Sequence, residues 1–479
     1  MNGNKHWFWF GLAGLWILAL TLRFWGLERF NTLVFDEVYF AKFARNYLTQ
    51  TPFFDAHPPL GKYMIALGIA LKGFSPLGFR WMNALIGSWI PLLIAGIAYE
   101  LTRRPTYALV AGGAAVLDGL LLVESRYALM NVHLVFFGLL GHWLLLMSLT
   151  AKGRWHWAGL TLAAIAFGAA AAVKWNGLGF MVGAYLLWFI GWGLTHLGWR
   201  PSRPYPSLPL QHLSRLSWFK MWVYLPILAA LIYSLLWLPH LQQNLDPGFG
   251  PVHQQILSYH RGIGSGDNVH PYCAPWYTWP LMLRPINYFY QQVGSLSEPV
   301  PVIGPPLPAL PAGTNITRVI YNVHAMGNPI LWWLSTLAIL WVVSRWGRSL
   351  GFSWITNWRW PKAGQRPSLP PLDRANPSPE LFWVPLYLGV NYAANFLPWI
   401  GVSRCIFLYH YLPASLFSGM AIAWLVERWL RNHDPALKNW AIAIIAAVAI
   451  GFIFWLPLYL GLPLSPLEWQ LRIWLPSWI

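Results

Sequence analysis

The chain has 479 residues, of which 57% are hydrophobic, 17% aromatic and only 10% charged. Soluble domains carry roughly 25% charged residues, and so apolar a chain cannot face water without large apolar patches. With apolar stretches of about 20 residues, the length that spans a bilayer, this excludes a soluble enzyme, a disordered chain and a disulfide-stapled secreted domain.

Taken in chain order, apolar runs bounded by charges and prolines predict an all-α polytopic membrane protein with eleven spans. They lie near 7–27, 79–101, 106–123, 130–149, 157–173, 178–197, 221–240, 327–344, 381–400, 406–426 and 439–461. The first lacks a small-residue cleavage site and reads as an uncleaved anchor. Between the first two spans, 28–78 forms a long loop. There, in FDEVYFAKFARNYL, Phe40, Phe43, Ala44 and Tyr47 recur at helical spacing while Lys42 and Arg45 fall elsewhere, the pattern of an amphipathic helix on a membrane surface. Residues 62–73 are too short to cross and are expected at the interface. The second long loop, 241–326, is rich in Pro, Gly, Trp and Tyr without a periodicity that marks a separate domain. Residues 345–380 form a basic, Pro-rich linker.

The formal charge of +17 is accounted for by orientation. With the N-terminus cytoplasmic and the C-terminus outside, cytoplasmic segments hold 18 of the 32 basic residues and 5 of the 15 acids. Every cytoplasmic loop is then basic, as the positive-inside rule requires, and no nucleic-acid partner is needed. Both long loops fall on the extracytoplasmic face of a cell membrane.

Charges at the outer boundary are costly and invite a functional reading. The acids are Asp36, Glu37, Asp55, Asp118 and Glu124; the bases are Arg80, Arg126, Lys174 and Arg404. Each has a structural alternative. Asp36 and Glu37 suit a helix N-cap and first turn, and neighbours on a helix point about 100° apart, so both are not expected to address one substrate atom. His57 lies before Pro58 and Pro59, where a helix begins, and reads equally as a packing residue. Lys174 either snorkels or meets an anion. Arg126 can pair with Glu124 or Asp118, whereas Arg404 has no acid nearby in sequence. In HPYCAPWYTWPLMLRP, His270, Tyr272, Trp276, Trp279 and Arg284 either pave a sugar or peptide groove or pack the interface. Asn315 opens an N-I-T sequon. Cys273 and Cys405 are expected unbridged, because Cys405 begins a buried span beside Arg404. Phosphate loops, zinc spacings and a serine–histidine–acid set are not evident.

Together FDEVYFAKFARNYL, FFDAHPPLGK, LDGLLLVESRY, VKWNGL, HPYCAPWYTWPLMLRP, GNPILWW and SRCIFLYHYLP resemble the protein O-mannosyltransferases, in order and spacing along most of the chain. The resemblance implies a GT-C glycosyltransferase fold and transfer of mannose from a polyprenyl (dolichyl-type) phosphate to serine or threonine of secreted or membrane proteins. It places the catalytic acids at Asp36 and Glu37, and Arg80, Lys174, Arg404, Arg126 and His410 around the donor phosphate. His57, Asp118, His270, Tyr272, Trp276 and Trp279 stand as acceptor or sugar contacts. The family's eukaryotic members carry a lumenal MIR domain that the second loop is too short to hold, so the resemblance is to the bacterial type. Asp36 is expected as base and Glu37 as organiser of the loop or of the acceptor. No cofactor is expected beyond the lipid-linked donor; a divalent metal at the acidic pair stays open, with no full ligand set in the sequence. Two other classes also stay open: a GT-C enzyme acting on a lipid or glycan, and a transporter, which would bind at midplane without an acidic loop motif.

Overall fold

The computed structural model describes residues 6–196, 208–294, 318–349 and 379–479; Asn315 and most of the 345–380 linker lie outside them. The described chain is mostly helical. Helix α1 (His6–Phe24) leads into α2 (Glu37–Leu48) and α3 (Leu60–Lys72) of the first long loop. Then follow α4 (Pro76–Thr102), α5 (Pro105–Val116), α6 (Gly119–Arg126), α7 (Asn131–Thr150), α8 (Gly153–Val173), α9 (Leu178–His196) and α10 (Leu225–Gln243). The second half holds α11 (Phe249–Gly262), α12 (Pro329–Ser349), α13 (Pro379–Phe396), α14 (Leu412–Leu430), α15 (Pro435–Leu460) and the short α16 (Pro466–Gln470). Among the described residues eight helices are long and apolar enough to cross a membrane, or nine if α5 and α6, bent by 60°, count as one broken span.

The differences from the predicted spans have local causes. The run at 106–123 breaks at Leu117–Asp118, because the Asp118 carboxylate caps α6 by accepting from Leu121 N–H at 2.8 Å, the usual work of an N-cap acid. Helices α13 and α14 bury polar groups inside the bundle, among them Asn391 and Glu427, so their apolarity falls below that of lipid-facing spans. The predicted span at 406–426 starts only at Leu412. The stretch before it is irregular, with a 3₁₀ turn at Leu408–Tyr411.

Helix α4 is central, packing against α1, α3, α5 and α7. Helix α2 buries Phe40, Ala41, Ala44 and Tyr47 against α3, so its apolar face meets protein instead of a membrane surface. The second long loop contributes α11 and a sheet that periodicity did not reveal. Strand β1 (Ile286–Val293) pairs antiparallel with β2 (Val319–Ala325), from Ile286↔Ala325 to Val293↔Val319, with an irregularity between Asn287 and Phe289. Strand β3 (Pro463–Leu464) joins β2 after α15 ends at Gly461, whose φ of 63° suits the left-handed turn that glycine permits.

Candidate active site

The acidic pair is divided by its surroundings. Glu37 is fully buried and saturated. Its Oε1 accepts from Arg80 Nε and from Ala128 N–H, both at 2.8 Å. Its Oε2 accepts from Arg80 Nη2 and Val34 N–H, also at 2.8 Å. Arg80 spends its other donors on the carbonyls of Leu27, Phe30 and Thr32 at 2.9–3.1 Å. All five of its N–H groups are thus used within the protein, and none is left for a donor phosphate. Arg126 donates to the carbonyls of Leu22, Arg23, Trp25 and Gly26 at 2.8–3.1 Å, closing the C-terminal end of α1. Both arginines, expected at the phosphate, instead tie the start of the first loop to α4 and α6.

Asp36 differs. It occupies the N-cap position of α2 but makes no side-chain capping bond, and its carboxylate has no hydrogen-bond or ion-pair partner among the described residues. Burial pushes its pKa up to about 6, with Lys174 lowering it and Asp55 raising it. Asp55 itself is paired with Lys62, whose ammonium also donates to the His57 carbonyl at 2.8 Å. Burial, then Lys174, Lys62, His260 and Arg404, hold the His57 imidazole well below its ordinary pKa, so it stands neutral among cations. Its ring lies 5.3 Å from that of His260 on α11.

Lys174, which lowers the Asp36 pKa, and Arg404 both have capacity to spare. Lys174, at the junction of α8 and the turn before α9, is buried. Its ammonium donates to Asn131 Oδ1 at 2.9 Å and sits 5.3 Å from the Tyr409 ring centroid, without an acidic ion-pair partner among the described residues. Arg404 is half-buried, donates to the Cys405 carbonyl at 2.9 Å, and likewise has no acidic partner among them. His410 Nδ1 lies within hydrogen-bond distance of both the Phe407 N–H, at 3.1 Å, and the Phe407 carbonyl, at 3.0 Å. Its ring stacks on Trp279, 6.1 Å between centroids and 14° from parallel.

The other expected contacts separate. Asp118 is spent within the protein, capping α6 and accepting from Trp332 Nε1 at 2.6 Å. Trp279 is fully buried, donates to the Ala274 carbonyl at 2.9 Å and packs against His410. His270, Tyr272 and Trp276 remain half-buried beside it. His270 packs edge-on to Phe407 at 5.1 Å. Cys273 and Cys405 form a disulfide with Cα atoms 5.2 Å apart, contrary to the expectation. Cys405 lies in an irregular segment whose backbone pairs with other loops: Cys405 N–H donates to the Gly264 carbonyl at 2.7 Å and Ala274 N–H to that of Ile406 at 2.8 Å. The bridge moors the segment that carries Arg404.

Sequence reasoning passed over Lys62, Asn131, His260 and Tyr409. Lys62 and Tyr409 stand inside motifs already quoted, whereas Asn131 and His260 carry no local signal. Among the described residues no cluster of three or more His, Cys, Asp or Glu can hold a metal ion.

Two family profiles match along the chain. "Dolichyl-phosphate-mannose-protein mannosyltransferase" covers residues 13–79 and 74–243, and "C-terminal four TMM region of protein-O-mannosyltransferase" covers 247–478. The chain belongs to the protein O-mannosyltransferase family. The polyprenol-phosphate-mannose–protein mannosyltransferase of Mycolicibacterium smegmatis is 24% identical over 94% of this chain and 88% of that one. Protein O-mannosyltransferase 1 of Drosophila melanogaster is 32% identical over 38% of this chain and 23% of that one. In fold, this family member superposes on the S. cerevisiae Pmt1–Pmt2 complex bound to the sugar donor with TM-score 0.76 at 15% identity, covering 100% and 93% of the two chains. ArnT from Cupriavidus metallidurans, bound to undecaprenyl phosphate, gives 0.55 at 13% identity over 96% and 77%. The architecture is the GT-C fold of a multi-pass membrane glycosyltransferase.

Proposed function

We propose that this protein is an inverting glycosyltransferase that moves mannose from a polyprenyl phosphate to serine or threonine hydroxyls of proteins. The observation that carries the reading is an Asp36 carboxylate without a partner, close enough to Lys174 to feel its charge, with Lys174 and Arg404 both free of acidic ion-pair partners among the described residues. A Ser or Thr hydroxyl is a weak nucleophile and needs a positioned base. Asp36, with its pKa near 6, is ionised at neutral pH and basic enough to take that proton as the new bond forms. Polyprenyl phosphate leaves with charge growing on its oxygens, so departure is favoured by preorganised cations; Lys174 and Arg404 supply them, and His410 stands as a further proposed contact. One displacement inverts the anomeric centre, giving an α-mannoside from a β-linked donor. Glu37 serves by fixing the loop, and His57, His270, Tyr272 and Trp276 are the proposed acceptor or sugar contacts.

The charge pattern supports an extracytoplasmic site in a cell membrane, with the N-terminus inside, the C-terminus outside and eleven crossings. Arg104 pairs with Glu380 and Glu427, and Arg431 with Glu427. The segments assigned to the cytoplasm by their basic residues therefore meet at one end of the bundle. Lys174, Asn131, Arg80 and Tyr409 come from the opposite ends of the helices they adjoin.

The test is transfer of radiolabelled mannose from polyprenyl-phosphate mannose to a Ser/Thr peptide by membranes carrying the protein. Asp36→Asn is expected to lose on the order of 10²–10⁴-fold in rate with donor binding little changed. Transfer to lipid or glycan but not peptide would select the other enzymatic reading, and sugar movement without covalent transfer would select a transporter.

A further inference from the structure

Asp36 has no bond of its own to fix it, so its neighbours in the chain must. On one side Glu37 is clamped by Arg80. On the other, Phe35 holds a left-handed backbone with φ of 50°, a conformation that a bulky residue keeps only where its surroundings over-determine it. The surroundings include Tyr288 of β1. The two rings stack with centroids 4.2 Å apart and planes 12° from parallel.

The same tyrosine reaches the cation. Its hydroxyl donates to Glu124 Oε1, Glu124 Oε2 accepts from Asn131 Nδ2 at 2.9 Å, and Asn131 Oδ1 accepts from Lys174 Nζ at 2.9 Å. Glu124 is fully buried, yet Asn131 stands between it and the ammonium. A direct ion pair would satisfy Glu124 by spending the charge of Lys174 on it. The interposed amide orients the ammonium through one N–H and leaves two for an anion.

We propose that Tyr288 is a positioning residue that holds the general base and the phosphate-facing cation in register. Its ring fixes the backbone before Asp36, and its hydroxyl, through Glu124 and Asn131, aims Lys174. The proposal rests on the roles given above to Asp36 and Lys174, and deepens them by linking the two.

Two substitutions separate the arms. Tyr288→Phe keeps the stack and removes the hydroxyl; Tyr288→Leu removes both. With purified protein in lipid nanodiscs, affinity for undecaprenyl phosphate should fall roughly tenfold in each, the loss of one hydrogen bond to a charged group. In mannose transfer by the folded fraction, kcat should stay within a few-fold of wild type for Tyr288→Phe. It should fall about a further 10²-fold for Tyr288→Leu, the order of a small misplacement of a reacting group. A packing role alone would lower the melting temperature of both without dividing Kd from kcat. If Tyr288→Leu does not fold, Asn131→Leu, which cuts the chain one link later, provides the second arm. It should weaken undecaprenyl phosphate binding about as much as Tyr288→Phe, and the double variant no further. Additive losses, wild-type phosphate affinity in Tyr288→Phe, or equal kcat in the Phe and Leu variants would overturn the proposal. If the wild-type protein binds undecaprenyl phosphate but transfers no mannose to peptide, the reaction assigned above fails instead, and the binding cycle still decides whether Tyr288 aims Lys174.

Discussion

Two groups of buried charge lie a few residues apart in this protein, and they are built on opposite principles. Around Glu37 and Arg80, polar atoms are matched one for one: a carboxylate with four donors and a guanidinium whose five N–H groups are all used. Around Asp36, Lys174 and Arg404 the matching is left incomplete, with a carboxylate that accepts nothing and cations that meet no acid among the described residues. Desolvating charge is expensive unless it is paired, so the second group bears a cost that the first avoids. What separates a structural charge from a chemical one here is spare valence.

The comparison can be broken from its closed side first. Arg80→Leu leaves Glu37 buried and unpaired, an error worth roughly 3–5 kcal/mol. Loss of folded protein and a lower melting temperature in detergent are expected; a stable, folded Arg80→Leu protein with weakened donor binding would return this arginine to the phosphate. On the open side, Lys174→Met should fold normally and weaken undecaprenyl phosphate binding by about 10–100-fold, the range of a charge-assisted hydrogen bond. Isothermal titration in nanodiscs checks it, and unchanged affinity would reduce Lys174 to a snorkelling residue.

A smaller effect is expected from the disulfide. Cys405→Ser frees the segment that carries Arg404, and donor affinity should fall by at most about tenfold, equivalent to about 1.4 kcal/mol, with the donor KM measured under oxidising conditions. The smallest effect is on pH. The raised pKa of Asp36, about 6, places the acid limb of the transfer rate there, with activity gained as the carboxylate deprotonates on the way up. Lys174 lowers that pKa, so in Lys174→Met the limb should move to higher pH. A limb that stays in place would separate the two groups electrostatically.

Much of the architecture was legible because lipid imposes a simple pattern, and the charge asymmetry of the loops follows the same physics. Where reading failed, tertiary pairing had decided the matter. Arg80 and Lys174 look alike in sequence, each a lone cation near the end of an apolar run. Only the fold brings three carbonyls and a carboxylate from 27–37 onto one and none onto the other. Arg404 drew notice for lacking an acid nearby in sequence, and it has no acidic ion-pair partner among the described residues either. The Cys273–Cys405 bridge was missed because an apolar run was read as helix, whereas 402–407 is irregular backbone paired with distant loops. Tyr288 sits in a strand whose sequence, INYFYQQV, gives no hint of a role at Asp36.

The measurement that bears most directly on spare valence as the dividing feature is a paired one on adjacent residues. Asp36→Asn and Glu37→Gln would be prepared in the same nanodiscs and compared for melting temperature, undecaprenyl phosphate affinity and single-turnover mannose transfer. The account predicts that Asp36→Asn is folded, binds the phosphate and scarcely transfers. Its melting temperature should be no lower than that of wild type, because burial disfavours the Asp36 charge. Glu37→Gln should melt early, with transfer lost in proportion to the protein unfolded. An Asp36→Asn protein that transfers normally, beside a fully folded Glu37→Gln protein that does not, would contradict it.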